Sequence, residues 1–288
     1  MIFPINKVVN SRYIVTKFIS NGGFGEIYEA NDTYLRKSVA LKILKEDFSY
    51  SIEEKERFEN EARYASMFSH PHIVSIYNFD YYQKIPFISY ELMKGKTLKD
   101  YIDERGYLYP EESINIMLQI LDGVKHIHSR DVIHNDLKPD NLFMFFDGTI
   151  KISDFGIASH LKDEMPDSLK VSVMYAAPEV LSKKMYSKQS DIYSLGIIFY
   201  EFLTGKTPFM KNNKDEEIEA HLIGNIPSIR YVNNINQVEK YDYVILKATE
   251  RDLKRRYKDV DEMIIDLLKI KNNEPIDKPG LFRKLFKK

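Results

Sequence analysis

The ten residues VIHNDLKPDN, at positions 132–141, hold a histidine, two aspartates, a lysine and two asparagines. Such a cluster supplies the side chains of a catalytic loop, and equally those of a polar turn. A further carboxylate, Asp154, directly follows a short strand-like run in KISDFGIAS. Upstream, ISNGGFGEIYEA (19–30) is a glycine-rich turn between two β-rich runs. Glycines let backbone N–H groups approach phosphate oxygens with no Cβ in the way. Taken alone, the turn is also an ordinary glycine hairpin. VALKIL (39–44) sets Lys42 in the middle of an apolar strand, where a charge is costly unless paired. The helix pattern at 51–68 offers Glu61 as its partner. A buried structural ion pair accounts for those two residues as well as a phosphate-binding role does.

These residues must be positioned by a folded core, and the composition permits one. The chain has 288 residues, of which 43% are hydrophobic and 30% charged, ordinary values for a globular protein. Its net charge of −1 gives no global field that would favour nucleic acid or an anionic membrane. Cysteine is absent, which excludes disulfides, thiolate metal sites and cysteine nucleophiles, and fits a reducing compartment. MIFPINKVVNSR has too short an apolar stretch for a secretory signal. SLGIIFYEFL (194–203) contains Glu201 and falls short of a membrane span. A cytoplasmic, soluble chain is the expectation.

Hydrophobic periodicity divides the chain in two. RYIVTKFIS, EIYEA and KSVALKIL alternate as strands, SIEEKERFENEARYASMF is an amphipathic helix, and IVSIYNFDYY and PFISYEL are strands again. The order β-β-β-α-β-β predicts a small sheet carrying one helix. After MKGK (93–96) the pattern turns helical, with a long helix over 110–130 and further helices in KQSDIYSLGIIFYEFLTG, KDEEIEAHLIG, QVEKYDYVILKATE and DVDEMIIDLLKI. The predicted organisation is an N-terminal lead (1–12), a first lobe (13–92), a second lobe (93–270) and a basic amphipathic tail (271–288), with any cleft between the lobes.

The array HNDLKPDN, DFG (154–156) and APE (177–179) resembles the eukaryotic-type (Hanks-type) serine/threonine protein kinases, whose loops read H-R-D-L-K-x-x-N, D-F-G and A-P-E in that order. The resemblance runs over residues 13–270. It also takes in HPHIV (70–74), DIYSLGIIFYEFLTGKTPF (191–209) and RRYKDVDEM (255–263). It implies an α+β bilobal fold, with an antiparallel N-lobe sheet bearing one helix and a mostly helical C-lobe. It also implies transfer of the γ-phosphate of ATP to protein hydroxyls, with Mg²⁺ as the metal and Mn²⁺ as a substitute.

By that resemblance Asp136 is the catalytic base and Lys138 neutralises charge at the transferring phosphate. Asn141 and Asp154 are the Mg²⁺ ligands, and Lys42, paired with Glu61, meets the α/β-phosphates. Ser20, Asn21, Gly22, Gly23, Phe24, Gly25 and Glu26 form the phosphate-covering turn. Ile19, Ile27 and Ala40 roof the adenine pocket and Phe143 floors it. Backbone groups of Glu91 and Met93 meet the adenine edge, and Tyr90 limits the depth. Lys138 within DLKPDN favours serine/threonine over tyrosine, and Ser172 supplies the hydroxyl that faces Asp136 and Lys138.

The chain departs from the family pattern in three places. Ser20 stands where the first loop glycine is usual, Val171 replaces a glycine before Ser172, and Asn135 replaces arginine. An arginine there holds an activation-loop phosphate by a charge-assisted pair, which asparagine cannot do. Activity is therefore expected to need little or no phosphorylation of the loop that carries Ser159, Ser168 and Ser172. The rival readings are a pseudokinase scaffold, disfavoured because Lys42, Glu61, Asp136, Asn141 and Asp154 are all present, and a kinase-like small-molecule phosphotransferase, which generally lacks DFG, APE and DIYSLG. Compactness and rich Lys, Asn and Ile usage are similar to bacterial or phage kinases. Protein substrates are the expected partners and nucleic acid is not. A homodimer is left open. The tail segment PGLFRKLFKK (279–288) groups Leu281, Phe282, Leu285 and Phe286 amid basic residues, but so short a segment does not favour membrane contact. His160 and His221 carry no functional signal.

Overall fold

In the computed structural model of the chain, residues 2–21, 25–161, 172–231 and 236–276 are described. Gly22, Gly23, Phe24, Ser168, Val171 and the 279–288 segment lie outside them. The first lobe contains β1 (Val8–Val9), β2 (Tyr13–Asn21), β3 (Gly25–Asp32), β4 (Lys37–Leu44), α1 (Ile52–Ala65), β5 (Ile76–Tyr82) and β6 (Ile85–Glu91). Among the described residues these strands form one antiparallel sheet in the order β1-β2-β3-β4-β6-β5. The lead contributes to this sheet: Val9 pairs with Tyr13, and Phe3 and Val9 are fully buried in its outer core.

Strand β4 is central and covered on both faces, so its side chains divide by parity. Val39, Leu41 and Ile43 join the outer cluster with Tyr13, Tyr28 and Phe87. Ala40 and Leu44 join the inner one with Phe58 and Ala62 of α1. Lys42 shares the parity of Ala40 and Leu44, so the strand alternation itself aims it at α1. Helix α1 starts at Ser51, whose side chain accepts the Glu54 N–H, and Glu53 and Glu54 suit its positive end. Phe58, Glu61, Ala62 and Ala65 then form its buried stripe.

The second lobe contains β7 (Gly95–Thr97), α2 (Leu98–Arg105), α3 (Pro110–Ser129), β8 (Val132–Ile133), β9 (Leu142–Phe145), β10 (Ile150–Ile152), β11 (Ser159–His160), α4 (Pro178–Lys183), α5 (Lys188–Thr204), α6 (Lys214–Ile223), α7 (Val238–Ala248) and α8 (Val260–Lys271). Helix α5 is buried on every side from Ser190 to Thr204, the signature of a helix at the centre of a core. A reciprocal Ser187–Ser190 capping box fixes its start. Its end is fixed by Gly205 at φ 76°, where a Cβ would meet the Gly106 carbonyl oxygen. No described helix is long and apolar enough to cross a membrane.

Two small ladders carry the chemical residues. The β9–β10 hairpin pairs Leu142 with Ile152, which leaves Asn141 beside Ser153 with Asp154 next along the chain. The Ser153 N–H seals this by donating to the Asn141 carbonyl at 2.9 Å. The β8–β11 pair sets Ile133 opposite Ser159 and so joins the segment after DFG to the start of the catalytic loop. The lobes are stitched by Val74 N–H to the Ile152 carbonyl and Ile152 N–H to the His72 carbonyl, each 2.9 Å.

His221 proves to be a core residue. It is fully buried, its Nδ1 lies 2.8 Å from the Tyr193 hydroxyl, and Phe209 meets it edge-on. Burial, aided by Arg251, pushes its pKa from 6.5 down to about 4. An unfolded chain takes up this proton near pH 6.5, whereas the folded chain takes it only near pH 4. Stability at neutral pH is therefore lost as pH falls through that window, by up to about 3 kcal/mol from this group. His221→Gln is expected to flatten the stability–pH curve between pH 6.5 and pH 4, measured by urea unfolding at a series of pH values.

Candidate active site

The Lys42 ammonium lies 2.7 Å from Oε1 and 2.6 Å from Oε2 of Glu61, so the predicted partners meet across the inner face of the sheet. Burial opposes the charge on Lys42, but Glu61 and Asp154 outweigh it and hold its pKa above the usual lysine value. Asp154 is half-buried; burial would raise its pKa, yet Lys42, His134 and Lys138 outweigh burial and hold it lowered. Lysine and aspartate are thus both charged at neutral pH. The Tyr90 hydroxyl also donates to Glu61 Oε1.

The catalytic loop is organised around Asp136. Lys138 Nζ donates to Asp136 Oδ2 at 2.7 Å and to Ser172 Oγ at 2.9 Å, while the Ser172 hydroxyl donates to Asp136 Oδ1 at 2.7 Å. The Asn141 amide donates to the Asp136 carbonyl at 2.8 Å and to Oδ2 at 3.0 Å. Three donors, Lys138, Asn141 and Ser172, therefore meet at one carboxylate, with the Lys138–Ser172 contact closing the ring.

Beneath this loop sits Asp191, in the first turn of α5 and 1% exposed. It accepts the His134 N–H at 2.9 Å and the Asn135 N–H at 3.0 Å, and its Oδ2 lies 2.8 Å from His128 Nε2. Asp191 thus caps the loop, and His128 joins it from α3. Asn135 sits at φ 66° and Asp154 at φ 63°, a region that Asn and Asp tolerate better than other non-glycine residues. The Asn135 amide donates to the Ile157 carbonyl and to Ser159 Oγ, each at 2.9 Å. His134 is fully buried against Phe155, with ring centroids 4.9 Å apart, and Phe155 meets Phe68 at 5.4 Å. Stacked side chains thus run from Phe68, just past α1, through Phe155 of DFG to His134, whose backbone N–H rests on Asp191 of α5.

The remaining predicted residues occupy the surroundings. Ile27, Ala40, Tyr90 and Met93 share the inner cluster. Ile19 is 45% exposed at a register shift of β2, and Ser20 pairs with Ile27 without a positive φ. Asn21 pairs with Glu26. Gly25 passes so close to β4 that a Cβ would lie 2.7 Å from the Ile43 carbonyl oxygen. Glu26 turns its carboxylate to the outer face, where it accepts the Ile2 N–H at 2.7 Å and the Tyr28 hydroxyl. Only its backbone is therefore available to a nucleotide, a consequence of period-two alternation with Tyr28. The Glu91 N–H donates to the Ser75 carbonyl, and its carboxylate holds Lys151 at 2.8 Å. Phe143 is half-buried on β9, opposite Lys151 and Thr97.

Asn141 and Asp154 offer an amide oxygen and an ionised carboxylate, hard donors suited to Mg²⁺. No described group of three or more His, Cys, Asp or Glu could hold a metal ion. Two protein oxygens completed by phosphate and water are what a Mg²⁺–nucleotide site requires, so the residues fit that cofactor.

Residues 13–276 match the protein kinase domain family. The chain belongs to that family. It is 38% identical over 266 residues, 91% of its length, to serine/threonine-protein kinase PrkC of Bacillus subtilis, of which the match covers 41%. It is 35% identical over 288 residues, 99% of its length, to the probable serine/threonine-protein kinase PknB of Lactococcus lactis, of which 45% is covered. A serine/threonine-protein kinase PknB of Mycobacterium leprae is 29% identical over 280 residues, 94% of this chain and 45% of the relative. The chain thus spans less than half the length of these relatives. The bilobal kinase fold expected from the sequence stands.

Sequence reasoning reached each acidic and basic group at the centre of the site. It gave Tyr90 a steric role only, and the contact of His128 with Asp191 went unread. Asp191→Ala would leave two backbone N–H groups and His128 without an acceptor in a dry interior. A loss on the order of 3–5 kcal/mol is expected, read as a lower urea midpoint.

Proposed function

We propose that this chain is a serine/threonine protein kinase that moves the γ-phosphoryl group of ATP to hydroxyls of proteins, its own included. The observation that carries this reading is the Asp136 carboxylate, held by Lys138 and Asn141 and accepting an alcohol, that of Ser172, at 2.7 Å. A carboxylate so placed can take a second alcohol, that of a substrate, and orient its oxygen towards phosphorus. The substrate oxygen forms the new bond to the γ-phosphorus as the bond to the bridging oxygen of ADP breaks. The alcohol proton passes to Asp136 and then to solvent.

Phosphoryl transfer asks the protein mainly for positioning and charge neutralisation. Lys138 lies where negative charge on the transferring group can be offset, and Lys42 lies where it can meet the α/β-phosphates. Asn141 and Asp154 would hold Mg²⁺, or Mn²⁺ in its place. A metal held there would supply positive charge to offset that of the nucleotide phosphates. Serine/threonine specificity draws support from Lys138 and from the names of the relatives.

The same reading includes activity without phosphorylation of the activation segment. Its support is the direct bond from the Asn135 amide to the Ile157 carbonyl and Ser159 Oγ. A neutral side chain thereby ties the start of that segment to the catalytic loop, where an arginine would need a phosphate.

Asp136→Asn keeps the shape of the side chain and removes its charge. Transfer of radiolabel from MgATP to a protein acceptor is expected to fall about 10²–10⁴-fold. Nucleotide affinity by calorimetry is expected to stay within about threefold, since the affected interactions are lost mainly in the transition state. Equal rates for the two proteins would reject the kinase reading.

A further inference from the structure

We infer that Tyr90 is a positioning residue for the phosphate-binding lysine, holding Glu61 in place through its phenolic hydroxyl. The inference rests on the MgATP reading and adds to it a part for a side chain otherwise assigned only the depth of the pocket.

The β4–β6 register brings this about. Ala40 pairs with Tyr90 and Lys42 pairs with Ile88, so Lys42 and Tyr90 are diagonal neighbours on one face of the sheet. That is the face covered by α1, and both side chains converge on Glu61. Glu61 Oε1 receives both the Tyr90 hydroxyl and the Lys42 ammonium, whereas Oε2 receives, among the described residues, Lys42 alone. The carboxylate is therefore held by two donors of different kinds.

The distinction matters because the two donors have different obligations. Glu61 is 5% exposed, and a buried carboxylate is stable only while its oxygens stay satisfied. Lys42 must also attend to nucleotide phosphates, whose negative charge competes with Glu61 for one ammonium. Tyr90 has no such second task. Burial and the nearby Glu61 push its hydroxyl pKa well above 10, so it remains a donor across the working pH range. As phosphates engage Lys42, the phenol keeps Glu61, and with it α1, against the sheet. A phenylalanine would fill the same space and leave Oε1 dependent on Lys42.

The test separates the hydroxyl from the ring. MgATP affinity by calorimetry and steady-state kinetics are measured for wild type, Tyr90→Phe, Glu61→Gln and the double variant. Tyr90→Phe is expected to raise the Kd and KM for MgATP about five- to tenfold, with kcat at saturation within about twofold. In the Glu61→Gln background the same change should alter Kd less than twofold, because Tyr90 acts through that carboxylate. Unchanged nucleotide affinity in Tyr90→Phe overturns the inference. So does an equal loss in both backgrounds, which would place the effect in packing. Wild-type protein that fails to bind MgATP would instead overturn the MgATP reading itself.

Discussion

A lysine and a glutamate buried between a sheet and its one helix set the terms for the first lobe. Removing two charges from water costs several kcal/mol each, and their attraction repays this only with close geometry and further hydrogen bonds. The chain meets that demand with the parity of β4, which aims Lys42 at α1, and with the helical stripe that carries Glu61. The Tyr90 hydroxyl supplies the extra donor. An apolar pair would satisfy the fold at lower cost, so the charge itself is what the site retains.

The second lobe solves a different problem, which is to hold an irregular loop rigid. Backbone that is neither helix nor strand must find acceptors for its buried N–H groups. Asp191 provides two of them from the first turn of α5, a helix buried along most of its length. Asp136 thus rests on a helix buried on every side from Ser190 to Thr204. The β9–β10 hairpin places Asn141 and Asp154 by register alone, and the Phe68–Phe155–His134 stack joins this arrangement to the segment just past α1. The two lobes therefore bring their charged groups to one place through short, mostly buried contacts.

Much of this was legible in the sequence because it follows short-range rules. Lys42 stands out as a charge in an apolar strand, and Glu61 lies on the inward stripe of the next helix. The helices at 110–129, 188–204 and 260–271 appear within a residue or two of their periodic patterns. What stayed hidden depends on distant pairing. Val8–Val9 is too short to register as a strand until β2 receives it. Tyr90 in PFISYEL reads as packing, since its hydroxyl partner lies 29 residues away on another element. His221 shows nothing of its burial in a helix of mostly charged neighbours. The partners of Asn135 come from residues 157 and 159, so the sequence revealed a missing charge but not the bonds that replace it.

Those bonds carry the central claim, an assembled site that works without a phosphate on its activation segment. The most direct test is the first-minute time course of phosphate transfer to a protein acceptor by phosphatase-treated protein, with the phosphatase removed. A rate linear from the first point, and unchanged by prior incubation with MgATP, is the predicted result. A lag that such incubation abolishes, or activity regained only on phosphorylation of Ser168, would contradict it.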